Sequence, residues 1–331
     1  MADQLPMDEV RNERLDRAID ALLARRDSQP IVADVDVYSL VEIGAALREM
    51  PREEYRAELK KALDGAASAS APKVDPVRSG FRTLTPYLPV KEVNELIEFM
   101  TKAYGAGASC TFATPTGAVH AEIALGDSMV MVGGGREWSG TPMPTSLWLF
   151  VPDVDATYAS ALRAGATSIY EPMDQPYGDR DAGVTDLAGN QWFISTHKAA
   201  PGGGRHAPEG LHGLNLYLHP ERAVEFAEFT ERAFGAEIVE RHAAPDGTLA
   251  HAKIRIGSSV MGLSEARGQF PNMPTMIYMY VPDVDAAYKQ AVAAGAEALT
   301  PVTEQAYGDR NGMVRDAWGN RWYIASRIRE P

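Results

Sequence analysis

The segment YGDRDAGVTDLAGNQWFI at residues 177–194 recurs as YGDRNGMVRDAWGNRWYI at residues 307–324, 130 positions later, with 10 of the 18 residues identical. A second pair of matching segments lies upstream, VPDVDATYASALRAGA at 151–166 and VPDVDAAYKQAVAAGA at 281–296, again 130 positions apart. Similarity at a fixed period indicates repeated structural units. The sequence therefore predicts two copies of one folding unit.

The repeated segment contains residue types that favour a tight turn. Gly189 and Gly319 permit the backbone conformation that such a turn needs. Asp186 and Asp316 precede them by three residues, and short carboxylates at this place accept hydrogen bonds from turn N–H groups. The neighbouring charges of the YGDR sequence are expected to reach across the sheet rather than to pair with each other. We therefore expect the repeat to be mainly a determinant of the fold, and contact of the YGDR residues with a ligand is the alternative.

The repeat divides the chain into four regions. We assign residues 78–198 to a first copy and residues 210–328 to a second. Between them, residues 199–209 read AAPGGGRHAPE, and this Gly and Pro content is typical of a linker. Residues 1–75 lie outside the repeat, where the spacing of apolar residues predicts amphipathic helices followed by a polar tether.

Each copy alternates strand and helix signals. LTPYLPV at 84–90 is a predicted strand, and the helical spacing of apolar residues in VNELIEFMTKAY at 93–104 predicts a helix. VHAEIAL at 119–125 and SMVMVG at 128–133 are two further strands, and SLWLFVP at 146–152 starts the same order again. Each copy therefore contains two modules of similar composition, and the chain contains four.

Composition limits the classes of function. The chain has 331 residues, of which 45% are apolar and 23% are charged, with a net charge of −13. Such an acidic surface disfavours nucleic acid and anionic membranes as partners. A single cysteine, Cys110, excludes an intramolecular disulfide and a thiolate zinc site. The N-terminal sequence lacks the apolar region of a signal peptide, and we expect a cytoplasmic protein.

The quoted segments resemble a known family. The VPDVDA corner, the HAEI-x-x-GDS hairpin and the YGDR-x(3)-V-x-D-x-x-GN-x-W segment are similar to the vicinal oxygen chelate superfamily, which includes glyoxalases, bleomycin resistance proteins and extradiol dioxygenases, and especially to its PhnB-like branch. The resemblance covers residues 80–328. It implies an α+β fold in which βαβββ modules pair and curl their sheets into ligand-binding clefts. We expect two such clefts, one in each copy, beside the N-terminal helical segment.

The resemblance also implies where a metal would bind, since the family's enzymes take ligands from the first and last strands of each module. By strand position these places hold Thr85, Met131, Ser146 and Phe193 in the first copy, and Asn215, Met261, Met276 and Tyr323 in the second. Divalent ions need His, Glu or Asp. We therefore expect no metal ion and no other cofactor.

The same strands predict the residues that line the clefts, because side chains two apart on a strand share a face. The predicted lining consists of Tyr87, Met131, Trp148, Phe150 and Phe193 in copy one, and of Tyr217, Met261, Tyr278, Tyr280 and Tyr323 in copy two. Rings and thioethers suit a flat, partly apolar organic ligand. The alternative is that these side chains fill a collapsed core and leave no cavity.

Two histidines occupy matching places in the copies. His120 and His251 each begin an HA-x-I strand, and we include both among the candidate ligand-binding residues. His120 and Glu122 point the same way along a strand, which would allow acid–base or metal chemistry. The corresponding residue of the second copy is Lys253, so the copies do not share this pair. The other five histidines, at 197, 206, 212, 219 and 242, are expected to be exposed.

Three functions remain open on this sequence. The first is a metal-free binding protein that sequesters an apolar or aromatic small molecule, as in drug or antibiotic resistance. The second is a glyoxalase-type lyase, isomerase or dioxygenase with an atypical metal site around His120 and Glu122. The third is an interaction protein that recruits a partner, or forms a homodimer, through its N-terminal helices.

Overall fold

The computed structural model describes residues 75–113, 118–135, 138–198 and 206–329. These residues belong to one compact unit. The predicted N-terminal helices lie outside the described residues. No helix in the described part of the chain is long and apolar enough to cross a membrane.

The order strand–helix–three strands occurs four times. Module 1 consists of β1 (Leu84–Val90), α1 (Val93–Tyr104), β2 (Gly107–Ala113), β3 (Val119–Leu125) and β4 (Ser128–Gly134). Module 2 consists of β5 (Ser146–Phe150), α2 (Val154–Arg163), β6 (Thr167–Asp174), β7 (Asp179–Thr185) and β8 (Gln191–His197). Module 3 consists of β9 (Leu214–Leu218), α3 (Ala223–Phe234), β10 (Glu237–Ala243), β11 (Leu249–Ile256) and β12 (Ser259–Leu263). Module 4 consists of β13 (Met276–Tyr280), α4 (Val284–Ala293), β14 (Glu297–Glu304), β15 (Asp309–Arg315) and β16 (Arg321–Arg327). The predicted α+β fold of paired βαβββ modules is confirmed.

The described strands form two eight-stranded sheets, and each sheet combines modules from both copies. In the 1/4 sheet, which consists of modules 1 and 4, β1 pairs antiparallel with β13 through Leu84 and Met279. In the 2/3 sheet, which consists of modules 2 and 3, β5 pairs antiparallel with β9 through Leu147 and Leu216. The expectation of one cleft within each copy was therefore wrong. The first strands of the four modules are similarly apolar. Their sequences therefore predict that these strands pair with one another, but not which strand pairs with which.

Local signals in the repeats set the helix starts. The Asp153 carboxylate accepts a hydrogen bond of 2.9 Å from the Ala156 N–H and caps α2, and Asp283 caps α4 through Ala286 in the same way. Short carboxylates at this position satisfy N–H groups that the helix itself leaves unpaired. The repeated sequence VPDVDA therefore places the same capped helix after β5 and β13.

The opening repeat is explained by a buried carboxylate. Asp186 accepts hydrogen bonds from the N–H groups of Ala188 and Asn190 and from the indole N–H of Trp192, each 2.9 Å long. Gly189 has a φ of 88°, a conformation that glycine adopts readily. Asp316 makes the same contacts in module 4. Since each aspartate joins a turn to a fully buried tryptophan, the predicted fold-determining role is supported by these contacts.

Charges in the YGDR sequences link strand to helix. Arg180 on β7 makes two hydrogen bonds, of 2.6 and 2.7 Å, to the Asp155 carboxylate in the first turn of α2. Arg310 and Asp285 form the equivalent pair in module 4, at 2.9 Å. Both pairs are largely exposed, so each adds little to stability. Each pair orients its helix on the neighbouring strand. The opposite face of that strand carries residues of the cleft.

Candidate functional site

A cavity of about 680 Å³ lies against the 2/3 sheet. Strands β5, β8 and β9 contribute rings to its wall, and further rings come from module 2 and from the segment after β12. The aromatic lining residues are Trp148, Tyr170, Tyr177, Phe193, Tyr217 and Phe270. Small-molecule sites have volumes of roughly 300–1,000 Å³ and mainly apolar and aromatic walls. The cavity therefore has the size and lining of a site for a small organic molecule.

The rings of the wall hold one another in place. Trp148 and Tyr217 meet edge to face, with ring centroids 5.5 Å apart and an angle of 86°. Phe193 lies 5.6 Å from Tyr217 and 5.6 Å from Phe270, again in edge contacts. Such arrangements are the favoured ones for aromatic pairs. The wall is therefore held together by contacts among its own rings.

Two histidines of the cavity wall, one buried and one half-buried, are uncharged at neutral pH. His219 is 5% exposed, and its Nδ1 atom has no hydrogen-bond partner among the described residues. His251 has its Nδ1 atom 2.9 Å from the Tyr217 hydroxyl. Burial lowers the pKa of each to about 4. The expectation that His219 is exposed was wrong, because it lies two residues after Tyr217 and the backbone alternation brings both to the cavity.

One side of the cavity carries two buried carboxylates. Asp179 accepts a hydrogen bond of 2.5 Å from His197, which is itself only partly exposed. Asp181 accepts one of 2.7 Å from the Gln175 amide and one of 2.8 Å from the Tyr177 hydroxyl. Burial raises the pKa of Asp181. This side of the cavity is acidic, and the prediction that His197 is simply exposed was also wrong.

The other side carries charges that are already paired. Lys253 lies 2.6 Å from the Glu240 carboxylate, which also contacts His242 at 2.9 Å. Glu265 accepts hydrogen bonds from two backbone N–H groups where α3 begins. Arg267 lies 3.7 Å from the Asp246 carboxylate. These groups balance one another locally.

The equivalent space against the 1/4 sheet is occupied by the chain's own side chains. Phe81, from the segment before β1, packs on Tyr280 with ring centroids 6.1 Å apart. Arg78 from the same segment forms an ion pair with Glu122. Below them, the Asp309 carboxylate accepts hydrogen bonds from Tyr280 and from the fully buried Arg327. The sequence left two possibilities for the ring-bearing faces, a ligand cavity or a packed core. The 2/3 sheet has the cavity, and the 1/4 sheet has the packed rings.

The structure separates the twelve predicted binding residues into four groups. Four line the cavity: Trp148, Phe193, Tyr217 and His251. One, Phe150, does not line the cavity but contacts Trp148, with ring centroids 4.7 Å apart. Six belong to the packed face of the 1/4 sheet: Tyr87, His120, Met131, Tyr278, Tyr280 and Tyr323. The last, Met261, lies in the main apolar core.

The placement of Met261 follows from a one-residue shift between the copies. Tyr87 is paired with Met131 across β1 and β4, whereas Tyr217 is paired with Gly262 across β9 and β12. The residue that corresponds to Met131 is therefore Gly262. A shift of one residue in a strand turns each side chain to the opposite face.

The predicted pair of His120 and Glu122 lies on the packed sheet. His120 Nδ1 is 3.3 Å from the Tyr87 hydroxyl, and its Nε2 atom is 3.7 Å from the Glu122 carboxylate. Burial acts to raise the pKa of Glu122, but hydrogen bonds from His120 and Arg78 outweigh it and lower the pKa overall. The carboxylate is thus held as an anion by Arg78 rather than presented to a cavity.

Several lining residues were not among the predicted ones. His219, Asp179 and Asp181 all face the cavity, as does Tyr170. The alternation of side chains could have indicated His219 from Tyr217, and Asp181 from Asp179. Tyr170 and Phe270 carried no such signal, because one lies on an irregular strand and the other lies outside the strands.

The centre of the cavity does not fit a divalent metal. Across residues 75–113, 118–135, 138–198 and 206–329, no group of three or more His, Cys, Asp or Glu side chains is arranged to hold one. At the centre of the cavity, neighbouring strands carry the rings of Trp148, Phe193 and Tyr217, which contact one another. Rings offer none of the oxygen or imidazole ligands that such ions need.

Comparison with known proteins agrees with this fold. Residues 221–324 match the family described as the Glyoxalase/Bleomycin resistance protein/Dioxygenase superfamily. Uncharacterized protein Mb0911c of Mycobacterium bovis is 34% identical over 128 residues, which cover 35% of this chain and 84% of the relative. Uncharacterized protein Rv0887c of Mycobacterium tuberculosis is also 34% identical over 128 residues and is covered to 75%.

Solved structures share the architecture at low sequence identity. Glyoxalase I from Zea mays superimposes with a TM-score of 0.57 at 15% identity, over 74% of this chain and 92% of that chain. A putative dioxygenase from Bacillus subtilis gives a TM-score of 0.52 at 13% identity, over 77% and 87%. The fold is that of vicinal oxygen chelate proteins. The chain belongs to the glyoxalase/bleomycin resistance protein/dioxygenase superfamily.

Proposed function

We propose that this chain is a metal-free binding protein of the glyoxalase/bleomycin-resistance type, in the PhnB-like branch, which sequesters an aromatic or apolar small molecule in the cytoplasm. The observation that carries the proposal is the cavity of about 680 Å³ with its wall of preformed rings. Sequestration of a toxic compound would confer drug resistance without any chemical step.

The apolar wall supplies the main driving force for binding. Burial of apolar surface contributes roughly 25 cal/mol per Å². A planar ligand also gains edge or stacking contacts with Trp148 and Phe193, each about 0.5–1.5 kcal/mol beyond the burial itself. Because these rings already contact one another, the protein loses little side-chain entropy when the ligand enters.

The buried His219 supports a ligand that is not wholly apolar. A buried polar atom without a partner costs about 1–3 kcal/mol. The Nδ1 atom of His219 is such an atom among the described residues, and it belongs to the cavity wall. A ligand with one polar group near this ring would remove that cost and would be oriented by it.

The packed 1/4 sheet sets the expected stoichiometry. Its rings are covered by Phe81, and its carboxylates at Glu122 and Asp309 are paired with arginines. We therefore propose one ligand for each chain, bound by the 2/3 sheet, although the sequence contains two copies of the unit.

Quenching of tryptophan fluorescence by a panel of planar aromatic compounds tests this proposal. We expect saturable quenching by at least one compound, and loss of that signal in Trp148→Phe, with binding still measurable by calorimetry. The matched control is Tyr278→Phe, which alters the corresponding strand position of the 1/4 sheet. Absence of binding by every compound, or a stoichiometric divalent metal in protein purified without a chelating column, would contradict the proposal.

A second candidate is a glyoxalase-type lyase or isomerase, or a dioxygenase. The observation in its favour is the contact of 2.5 Å between His197 and the buried Asp179 at the cavity wall. A carboxylate that holds one imidazole nitrogen leaves the other free for proton transfer. Conversion of a bound compound by the wild-type protein, and its loss in His197→Gln with binding retained, would favour this candidate over sequestration.

A further inference from the structure

Asp181 is a buried carboxylate of the cavity wall that lacks a charged partner. The residue is 6% exposed and lies on β7. Its two hydrogen bonds, from the Gln175 amide and the Tyr177 hydroxyl, come from neutral donors. Among the described residues, no lysine, arginine or histidine forms an ion pair with it. A buried carboxylate in this state is costly, because the loss of water is not compensated by a cation.

The fold itself does not require a charge at this position. The residue that corresponds to Asp181 in module 4 is Asn311, 130 positions later. The Asn311 amide contacts Gln305 at 3.2 Å and Tyr307 at 2.8 Å, which are the counterparts of Gln175 and Tyr177. The same network is thus satisfied by a neutral side chain. The carboxylate occurs in the sheet that has the cavity, and the amide occurs in the sheet that is packed.

The other charged groups around the cavity do not neutralise Asp181. His197 contacts Asp179 at 2.5 Å, and Lys253 contacts Glu240 at 2.6 Å. Arg267 faces Asp246 on the opposite side. Since Lys253 and Arg267 already face other carboxylates, no cation of the described cavity wall is left to balance Asp181 at its module 2 side.

Aromatic side chains line the same cavity as this carboxylate. Tyr177 donates to it, and Tyr170 stacks on Phe193 with ring centroids 6.5 Å apart. A cation beside such rings is attracted by their electron-rich faces as well as by a carboxylate. Carboxylate and rings together favour a cation that is attached to an apolar body.

We propose that the ligand is an aromatic compound with an ammonium or amidinium group, and that Asp181 is its counter-ion. This inference rests on the proposed binding function and specifies the ligand class for it. The aromatic body packs between Trp148, Phe193 and Tyr217, and the cationic group lies against the module 2 wall.

Calorimetric titration with two matched probes tests the inference. Naphthalen-2-ylmethanamine is a cation at pH 7, and naphthalen-2-ylmethanol is its neutral counterpart of similar shape. We expect the wild-type chain to bind the amine about tenfold or more tightly than the alcohol. In Asp181→Asn, which copies the residue of the other sheet, the affinity for the amine falls about tenfold and that for the alcohol stays within about threefold.

A charge control separates a local effect from a general one. Asp174→Asn removes the same charge from an exposed carboxylate, which pairs with Arg180 and Lys198 and does not line the cavity. We expect it to leave both affinities unchanged. Equal affinity for the two probes in the wild-type chain, or equal loss of both in Asp181→Asn, would overturn the ligand class and leave the binding function in place. Failure of both probes to bind would overturn the ligand class, and the binding function would then be overturned if the whole panel of planar aromatic compounds also fails to bind.

Discussion

The Arg78 guanidinium is hydrogen-bonded to the carboxylate of Glu122, 44 residues further along the chain, and lies 5.0 Å from the ring centroid of Phe81 on the packed face of the 1/4 sheet. Glu122 is 5% exposed. The pair therefore neutralises a buried anion in the 1/4 sheet, at the place that corresponds to the cavity of the 2/3 sheet. A segment before the first strand, rather than a ligand, completes the 1/4 sheet.

Arg78→Ala should destabilise the chain, because it leaves the Glu122 carboxylate buried without its cation. We expect a loss of about 1–3 kcal/mol in the free energy of unfolding at pH 7, measured by urea denaturation. Arg78→Ala combined with Glu122→Gln should recover part of this loss. If the single and double variants are equally unstable, the ion pair is not the cause.

The same pair predicts a dependence on pH. The pKa of Glu122 is lowered in the folded chain, so its contribution to stability is present above the ordinary glutamate value of about 4.3 and is lost as the pH falls through the lower folded value. The difference in unfolding free energy between wild type and Glu122→Gln should therefore shrink below about pH 4. A difference that grows with acidity would contradict this account.

Gly262→Ala should weaken ligand binding through Tyr217. An added Cβ atom at Gly262 would lie 2.3 Å from the Tyr217 ring, so this ring of the cavity wall must shift. We expect a lower affinity for any cavity ligand and a stability loss of about 1–3 kcal/mol. Gly107→Ala is the matched control, because nothing lies within 4 Å of its added Cβ atom. Unchanged affinity in Gly262→Ala, measured by calorimetry, would show that Tyr217 does not shape the site.

His219→Phe should lose less stability than the wild-type chain when the solution is made mildly acidic. Burial lowers the pKa of His219 to about 4, so the unfolded chain binds a proton between about pH 6.5 and 4 while the folded chain does not. The stabilising effect of the neutral ring is complete above pH 6.5 and is lost as the pH falls through about 4. The decrease in Tm over this range should be smaller in His219→Phe than in wild type, with the exposed His242→Gln as control. An identical pH profile would mean that His219 is protonated in the folded chain.

Asp186→Asn should be among the most destabilising single changes in the described part of the chain. The carboxylate accepts from the backbone N–H groups of Ala188 and Asn190 and from Trp192, and an amide cannot accept all of these bonds while it also presents its own NH₂ group. We expect a loss of about 2–4 kcal/mol, measured by urea denaturation. Asp174→Asn, at an exposed carboxylate, should change stability by less than about 0.5 kcal/mol.

The sequence predicted the fold well because its signals are local and occur more than once. Asp153 and Asp283 mark the same helix start, and Asp186 and Asp316 mark the same turn. Each of these contacts spans six residues or fewer, and the second copy repeats the first. Local patterns of this kind do not depend on how the modules are arranged.

The site was less predictable because it depends on contacts between distant residues. The pairing of β5 with β9, rather than within a copy, decides that Trp148 and Tyr217 share a wall. The Arg78–Glu122 pair joins residues 44 positions apart on the packed 1/4 sheet, and nothing in the local pattern around Arg78 indicates it. Because of a one-residue shift between the copies, Gly262 rather than Met261 corresponds to Met131. Met261 therefore lies on the opposite face of its strand from the one predicted.

Calorimetric titration of the wild-type chain with naphthalen-2-ylmethanamine, repeated on Trp148→Ala and on Tyr278→Phe, tests whether the chain has a single ligand cavity. We expect one ligand per chain in the wild type, the same in Tyr278→Phe, and an affinity at least about tenfold lower in Trp148→Ala. Two equivalent sites per chain, or binding that Trp148→Ala leaves unchanged, would contradict a single ligand cavity against the 2/3 sheet.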